Sequence, residues 1–413
     1  MGAIIWAILG AFLLSFGSVV AIIKYATNTG KMLDRDAIKK PQKMHFGDIP
    51  RAGGVGIFAG FCVCVAVLSA FEVIKAEYIY LLIPSFFIFF SGFWEDLNNS
   101  ISPKIRLFLQ TIGSAGAIFF FQNCVITDIG FSLPYGFGVV WTLFCIVGVV
   151  NAINIIDGFN GLASGCVILM MTSIAIVAHL VGNGDIFCIA LVVIGATLGF
   201  FVWNFPRGRI FLGDGGAYLL GFLLAFLLVS LTQSGGNFVA ESALFSAEST
   251  AKFAESTPFS AESAPLFSAE STAKLEFAES NSTTLPQESH KKSLKNAIFN
   301  NKVSAYYGLC IAIYPVFEVL FSIWRRRVRK LQAMQPDCIH LHTLIFRRIT
   351  RSNAKTSALL WLLNAPFIFL PIFFYSNATI LIALIGIFAL LYVALYKKIT
   401  RFKRLFKADN LKI

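Results

Sequence analysis

Five short polar stretches interrupt an otherwise apolar chain, and each carries residue types suited to phosphate or a hard cation. KMHFGDIPRAGG, Lys43 to Gly54, combines Lys43, His45 and Arg51 with a glycine pair. Exposed amides at a glycine-rich helix entry, beside basic side chains, can hold a phosphate, although a plain basic loop has the same composition. FWEDLNNSISPKIRLFLQ, Phe93 to Gln110, sets Glu95 beside Asp96, and Ser102-Pro103 then opens a helix. Adjacent carboxylates can share Mg²⁺ with a diphosphate, because Mg²⁺ takes oxygen ligands and usually completes its shell with phosphates and water. In NAINIIDGFNGLASG, Asn151, Asn154 and Asp157 recur every third residue and so share a helix face until Gly158 and Gly161 break it. A capped turn needs only one such residue, and this stretch supplies four, Asn160 included. WNFPRGRIFLGDGGAYLLG, Trp203 to Gly221, brings Asn204, Arg207, Arg209, Phe211 and Asp214 to a glycine-bracketed helix start. PDCIHLHTLIFRRI, Pro336 to Ile349, alternates Cys338, His340 and His342. That spacing, with no fourth ligand nearby, is poor for structural zinc, and His with Arg beside a phosphate is the better reading.

The elements that must position these stretches are membrane spans. The chain has 413 residues, 57% hydrophobic, 15% aromatic and only 14% charged. Its apolar runs have the length of roughly 20 residues that crosses a bilayer core. The sequence predicts an all-α polytopic membrane protein of about 11 transmembrane helices, over residues 3–23, 54–71, 78–93, 105–123, 136–153, 161–181, 186–203, 215–233, 303–323, 356–375 and 377–396. The first run has no basic leader and no convincing cleavage site before Lys24, which favours a retained span over a signal peptide.

Charge sidedness supports this threading. If residues 24–51 face the cytoplasm, most of the 34 Lys and Arg residues fall on that side, and only Lys75 lies in a short loop opposite. The N-terminus is then periplasmic, the C-terminus cytoplasmic, and all five polar stretches share the cytoplasmic face. The net charge of +12 is accounted for by these loops and by contact with anionic lipid, without nucleic acid. The eight cysteines lie mostly inside apolar runs and form no CxxC, so they act as small hydrophobes.

Three regions follow: residues 1–233 with spans one to eight and most motifs, an insertion at 234–302, and 303–413 with the last spans and the His-containing loop. In the insertion Ala-Glu-Ser recurs at Ala240, Ala247, Ala254, Ala261, Ala269 and Ala278, and FSAESTAK occurs twice. Ser, Thr, Pro258 and Pro265 spoil a helical seam, so the expectation is a flexible periplasmic loop without chemistry.

Ionisable groups near a membrane are costly, about 2.5 to 3.5 kcal/mol each at a helix centre, so clusters at span ends point to function. Carboxylates, amides, glycines, His and cations on one face suit Mg²⁺-dependent transfer of a phosphoryl-linked group onto a membrane-embedded acceptor. Such transfer needs mainly positioning and charge neutralisation.

In this order and on this face, the five motifs resemble the polyprenyl-phosphate N-acetylhexosamine-1-phosphate transferases, which include the phospho-N-acetylmuramoyl-pentapeptide transferases and the enzymes that start O-antigen synthesis. The resemblance covers nearly the whole chain outside the insertion. It implies a bacterial inner-membrane enzyme that uses Mg²⁺ or Mn²⁺ and moves a HexNAc-1-phosphate from a UDP-sugar to undecaprenyl phosphate, releasing UMP, with a homodimer as a further possibility. It also implies that Asp214 ligates the metal, with Asp96 and Asp157 around metal and acceptor phosphate. Asn154, Asn204 and Phe211 would line the nucleotide pocket, and Lys43, His45, His340 and His342 would contact phosphates. Asp96 is the candidate base beside Glu95, and both direct attack and a covalent aspartyl intermediate fit the sequence.

Three departures set the chain apart within that resemblance. Glu95 stands where many members have the first Asp of a pair, Asn160 where the muramoyl-pentapeptide enzymes have a second Asp, and Thr343 where a further His is expected. All three favour the branch that primes surface polysaccharides, with Asn160 as an amide contact to uracil. The rival reading from another class is a transporter of lipid-linked sugars, which would place its ionisable groups near the bilayer midplane. If the insertion is as expected, deleting residues 240–285 leaves transfer activity in isolated membranes largely intact; loss of activity with normal membrane insertion would contradict it.

Overall fold

The structure is a computed structural model that describes residues 2–30, 32–33, 48–98, 101–234, 302–328 and 339–405. Lys43, His45 and nearly all of the insertion lie outside the described residues. Residues up to Gln233 and from Val303 onward form one compact unit.

The regular elements of that unit's described residues are helices, joined by loops that include two isolated β-bridges. In chain order the helices are α1 (Gly2–Thr29), α2 (Gly53–Ala70), α3 (Leu82–Asn98), α4 (Pro103–Phe120), α5 (Tyr135–Ile156), α6 (Leu162–Leu180) and α7 (Gly184–Asn204). They continue with α8 (Gly213–Gln233), α9 (Ala305–Ile311), α10 (Ile313–Val328), α11 (Leu341–Ile345), α12 (Asn353–Phe369) and α13 (Ala378–Leu405). With backbone donors and acceptors satisfied inside each helix, such a chain can cross hydrocarbon.

Each of the eleven predicted spans meets a helix, with two corrections. Among the described residues nine helices are long and apolar enough to cross a membrane, or ten if a bent pair counts as one span. The ninth span is that pair: α9 and α10 meet at a 75° bend instead of forming one rod. α4 is not among the nine, because Lys104, Arg106 and Gln110 interrupt its apolar surface.

α8 occupies the centre. Its residues from Gly215 to Thr232 are all buried, packed against α2, α3, α5, α6, α7 and α9. A helix that is apolar on every side belongs inside protein, and here Leu, Phe and Ala fill each face. α1 lies at the edge against α2 and α7, with Ile5, Trp6 and Leu13 exposed as lipid-facing residues are.

Two close approaches bring α2 and α3 onto the first turn of α8. A Cβ at Gly54 would collide with the Gly216 backbone, and one at Gly92 would collide with the backbone of Asp214 and Gly215. The segment entering α2 is also hydrogen-bonded to the segment entering α8. Phe211 N donates to Pro50 O at 2.8 Å, Gly53 N to Phe211 O at 2.9 Å and Gly54 N to Leu212 O at 2.9 Å. These contacts carry residues far apart in sequence to one end of the bundle.

Gly92→Ala therefore forces α3 off α8 and lowers the thermal midpoint in detergent, by the equivalent of roughly 1–3 kcal/mol for an overpacked contact. Gly148→Ala in α5, where a Cβ meets nothing within 4 Å, leaves the midpoint unchanged or raised. Equal midpoints for both variants would contradict the close approach.

Candidate active site

The site is built on the N-terminus of α8. Gly213 takes a left-handed φ of 77°, open to glycine, and turns the chain into the helix. The first amides then point outward with no intrahelical acceptor. Asp96, near the end of α3, supplies both acceptors: Asp214 N donates to its Oδ1 at 2.9 Å and Gly215 N to its Oδ2 at 3.0 Å. A carboxylate accepting two amides at a helix N-terminus is favoured by both hydrogen bonding and the helix dipole.

Asp214 faces a different set of partners. Its Oδ2 accepts from Arg106 Nη1 at 3.0 Å, and its Oδ1 accepts from Asn154 Nδ2 at 3.1 Å with Arg51 Nη2 at 3.6 Å. Arg51 also stands 3.6 Å from Asp96 Oδ1, so one guanidinium spans both carboxylates. Tyr218, one turn further along α8, is within 3.3 Å of Arg106 through its hydroxyl. Four elements thus meet at one point: the entry to α2 with Arg51, the end of α3, the start of α4 and the end of α5.

Asp157 caps α5 beside this group. Burial pushes its carboxyl up to about 7, the Asp214 charge adds to the rise, and Arg51 opposes it. Glu95 is turned to local work, accepting from Ile101 N at 2.9 Å in the loop before α4.

Two of the three asparagines read as nucleotide contacts hold loops together, while Asn154 bonds Asp214. Buried Asn204 accepts from Gly161 N and donates to Ile210 O at 2.7 Å, tying the α5–α6 turn to the loop before α8. Asn160 Nδ2 donates to Pro206 O at 3.1 Å, and its carbonyl accepts from Ser357 Oγ at 2.8 Å. Asn151 points deeper, where its Nδ2 donates to Gln110 Oε1 at 2.8 Å. Phe211 remains partly exposed beside Pro50 and Gly53.

The histidine segment arrives from the other side. His340 precedes α11 and stacks flat on His342, with centroids 5.2 Å apart and 6° between planes. His342 meets the Phe159 ring edge-on at 5.6 Å, and a Cβ at Gly158 would lie 3.3 Å from its Nε2. Burial lowers His342 to about 4, with His340 adding to the fall and Glu318 opposing it.

Four of the five sequence stretches are therefore adjacent in space through described residues, and the first is represented by Arg51. Two residues carried no signal of their own in the sequence motifs: Arg106, and Glu318, hidden in an apolar run. The signal for Glu318 was available, since an ionisable side chain inside a span marks function by default.

Asp214 fits a divalent cation better than Asp96 does. Both Asp214 oxygens are offered to side chains, while both Asp96 oxygens are held by amides. Carboxylate and amide oxygens are the donors that Mg²⁺ or Mn²⁺ prefers. Among the described residues no three His, Cys, Asp or Glu converge as a metal group, so substrate oxygens would complete any shell, as is usual for Mg²⁺.

The profile of glycosyl transferase family 4 matches residues 78–232, from the start of the third span through α8. The chain is similar to that family over this stretch. It is 28% identical over 236 residues to a phospho-N-acetylmuramoyl-pentapeptide-transferase of Streptococcus pneumoniae strain Hungary19A-6, covering 54% of this chain and 72% of that protein. It is 35% identical over 172 residues to the enzyme of the same name from Streptococcus agalactiae serotype Ia, covering 40% of this chain and 50% of that protein. A probable undecaprenyl-phosphate N-acetylglucosaminyl 1-phosphate transferase of Bacillus subtilis strain 168 is 34% identical over 209 residues, covering 48% of this chain and 56% of that protein. The chain thus spans about half the length of two of these three relatives. It is a multi-pass membrane protein whose resemblance to these transferases centres on the helices that build the site.

The lowered His342 value has a pH consequence with a definite sign. A histidine that resists protonation in the fold contributes stability above its unfolded value near 6.5, lost as pH falls toward about 4. His342→Gln is expected to narrow the difference in thermal midpoint between pH 7 and pH 5. An unchanged difference would show that His342 does not carry that sensitivity.

Proposed function

We propose that the protein transfers a HexNAc-1-phosphate from a UDP-sugar to undecaprenyl phosphate at the cytoplasmic face of the bacterial inner membrane. The observation that carries this reading is the convergence of Asp214 with Arg51, Arg106 and Asn154 at the membrane end of α8. A soluble diphosphate donor and a lipid phosphate can meet there, with cations to neutralise charge and a carboxylate to hold metal. The one-ended clustering of these groups favours an enzyme over a transporter.

In this reading an oxygen of the prenyl phosphate attacks the β-phosphorus of the donor, the bridging P–O bond breaks, and UMP leaves with the bond's electron pair. Mg²⁺ or Mn²⁺, held by Asp214 with Asp157 and Asp96 near it, would supply charge neutralisation to the diphosphate. Arg51 and Arg106 turn from Asp214 toward phosphate oxygens as substrates bind. Asp157, with its carboxyl near 7, takes the proton of a singly protonated acceptor phosphate. That role passes to it from Asp96, whose oxygens are committed to the α8 amides. Phe211 offers a ring on which uracil can stack, and Lys43 and His45 lie on the segment that leads to Arg51.

Asn160 and Thr343 support a surface-polysaccharide primer, whereas the streptococcal relatives carry the name of the peptidoglycan enzyme. One assay separates the two. Membranes with the protein, undecaprenyl phosphate and Mg²⁺ are given radiolabelled UDP-HexNAc or UDP-MurNAc-pentapeptide, and a lipid-linked product is expected from UDP-HexNAc. Asp214→Ala should reduce its formation roughly 100- to 1,000-fold, as loss of a charge-stabilising group does. Product only from the pentapeptide donor would reassign the branch, and none from either would refute the transferase reading.

A further inference from the structure

Glu318 is fully buried in α10, the second half of the broken span, with 0% of its surface exposed. A charge in that setting is costly unless every lone pair is engaged. Here Oε1 accepts from Leu341 N at 3.2 Å and lies 2.9 Å from His340 Nδ1, while Oε2 accepts from the Tyr392 hydroxyl of α13 at 2.6 Å. The same two helices grip the chain one residue earlier: Arg325 Nη1 donates to Ile339 O at 2.9 Å and to Tyr396 Oη at 3.0 Å. His340 is thus held from both sides where it enters α11.

We propose that Glu318 is the positioning residue of the histidine pair, fixing His340 through Nδ1 and, by the ring stack, seating His342 against the Gly158 end of α5. A carboxylate at Nδ1 selects the Nδ1–H tautomer and leaves Nε2 as the working nitrogen. His342 rests flat on that ring and edge-on to Phe159, so its place beside Gly158 depends on His340 staying put. Its Nδ1 is buried with no hydrogen-bond partner among the described residues, a polar atom still lacking its mate. Glu318 itself touches neither Asp157 nor Asp214 in any described contact and acts through the imidazoles. The 75° bend between α9 and α10 gives the carboxylate-bearing half of the span an axis of its own.

The functional arm rests on the transferase reading; the spectroscopic arm does not. In the full chain in detergent, labelled with ¹⁵N-histidine, His340 is expected as the Nδ1–H tautomer, with a strongly deshielded proton that Glu318→Gln removes. Glu318→Gln keeps volume and acceptor, and should lower kcat roughly 10- to 100-fold, the size seen when the group orienting a functional imidazole is lost. KM for the UDP-sugar should change little, and Glu318→Asp should recover part of kcat. His340→Ala should lose at least as much, and adding Glu318→Gln to it should cost nothing more, since the two act as one unit. An Nε2–H tautomer in the parent protein, or losses that multiply in the double variant, would overturn the proposal. Should Glu318→Gln fail to fold, the parent spectrum and Glu318→Asp still decide. If the parent transfers no sugar while the tautomer is as expected, the transferase reading fails and the positioning role stands.

Discussion

Everything at this site depends on the start of a helix that is surrounded by protein. α8 is buried along its length, so its first amides cannot turn to water as those of a surface helix would. Asp96 meets that demand with both carboxylate oxygens, and the price of using a charge there is a counter-charge, which Arg51 provides. Once Asp96 is fixed, Asp214 in the same first turn is aimed away from the helix toward Arg106 and Asn154. The stability of the fold and the placement of the Asp214 carboxylate are one arrangement.

The glycines make that arrangement sterically possible. Gly54 and Gly92 let α2 and α3 touch the backbone of α8 where a methyl group would collide, so the ends of these helices converge within hydrogen-bond range. Charges brought this close in a low-dielectric setting interact strongly, and removal of one partner strands the other. The cluster is therefore poised: Asp214 is held by two arginines that a phosphate can attract, and burial beside the Asp214 charge raises the Asp157 carboxyl.

The histidine segment meets the same requirement by another route. α11 is too short to be rigid alone, and the two residues before it are held by one helix, His340 by Glu318 and Ile339 by Arg325, with Tyr392 and Tyr396 of another helix reinforcing those two side chains. Buried polar networks of this kind are stable only when their members are satisfied, and the carboxylate here meets three donors.

Much of this was legible from the residues. Apolar run length gave the helices, and polar residues at span ends marked Asp96, Asn154, Asp157, Asp214, His340 and His342, because hydrocarbon penalises such groups wherever they occur. What sequence could not supply was partnership. Asn204 and Asn160 were chosen for their amides, yet those amides hold loops, since a side chain's hydrogen-bond partner depends on which turns lie against it. The same holds for Arg106, for Glu95 and above all for Glu318, one carboxylate in an apolar run until α13 and the His340 segment enclose it. The sequence by itself determined that the chain crosses a membrane and carries its polar and ionisable clusters at the ends of its spans, because those properties follow from composition along the chain. The tertiary structure alone decided which carboxylate caps a helix and which faces its cations, and which histidine is braced, because each depends on contacts between residues tens to more than a hundred positions apart.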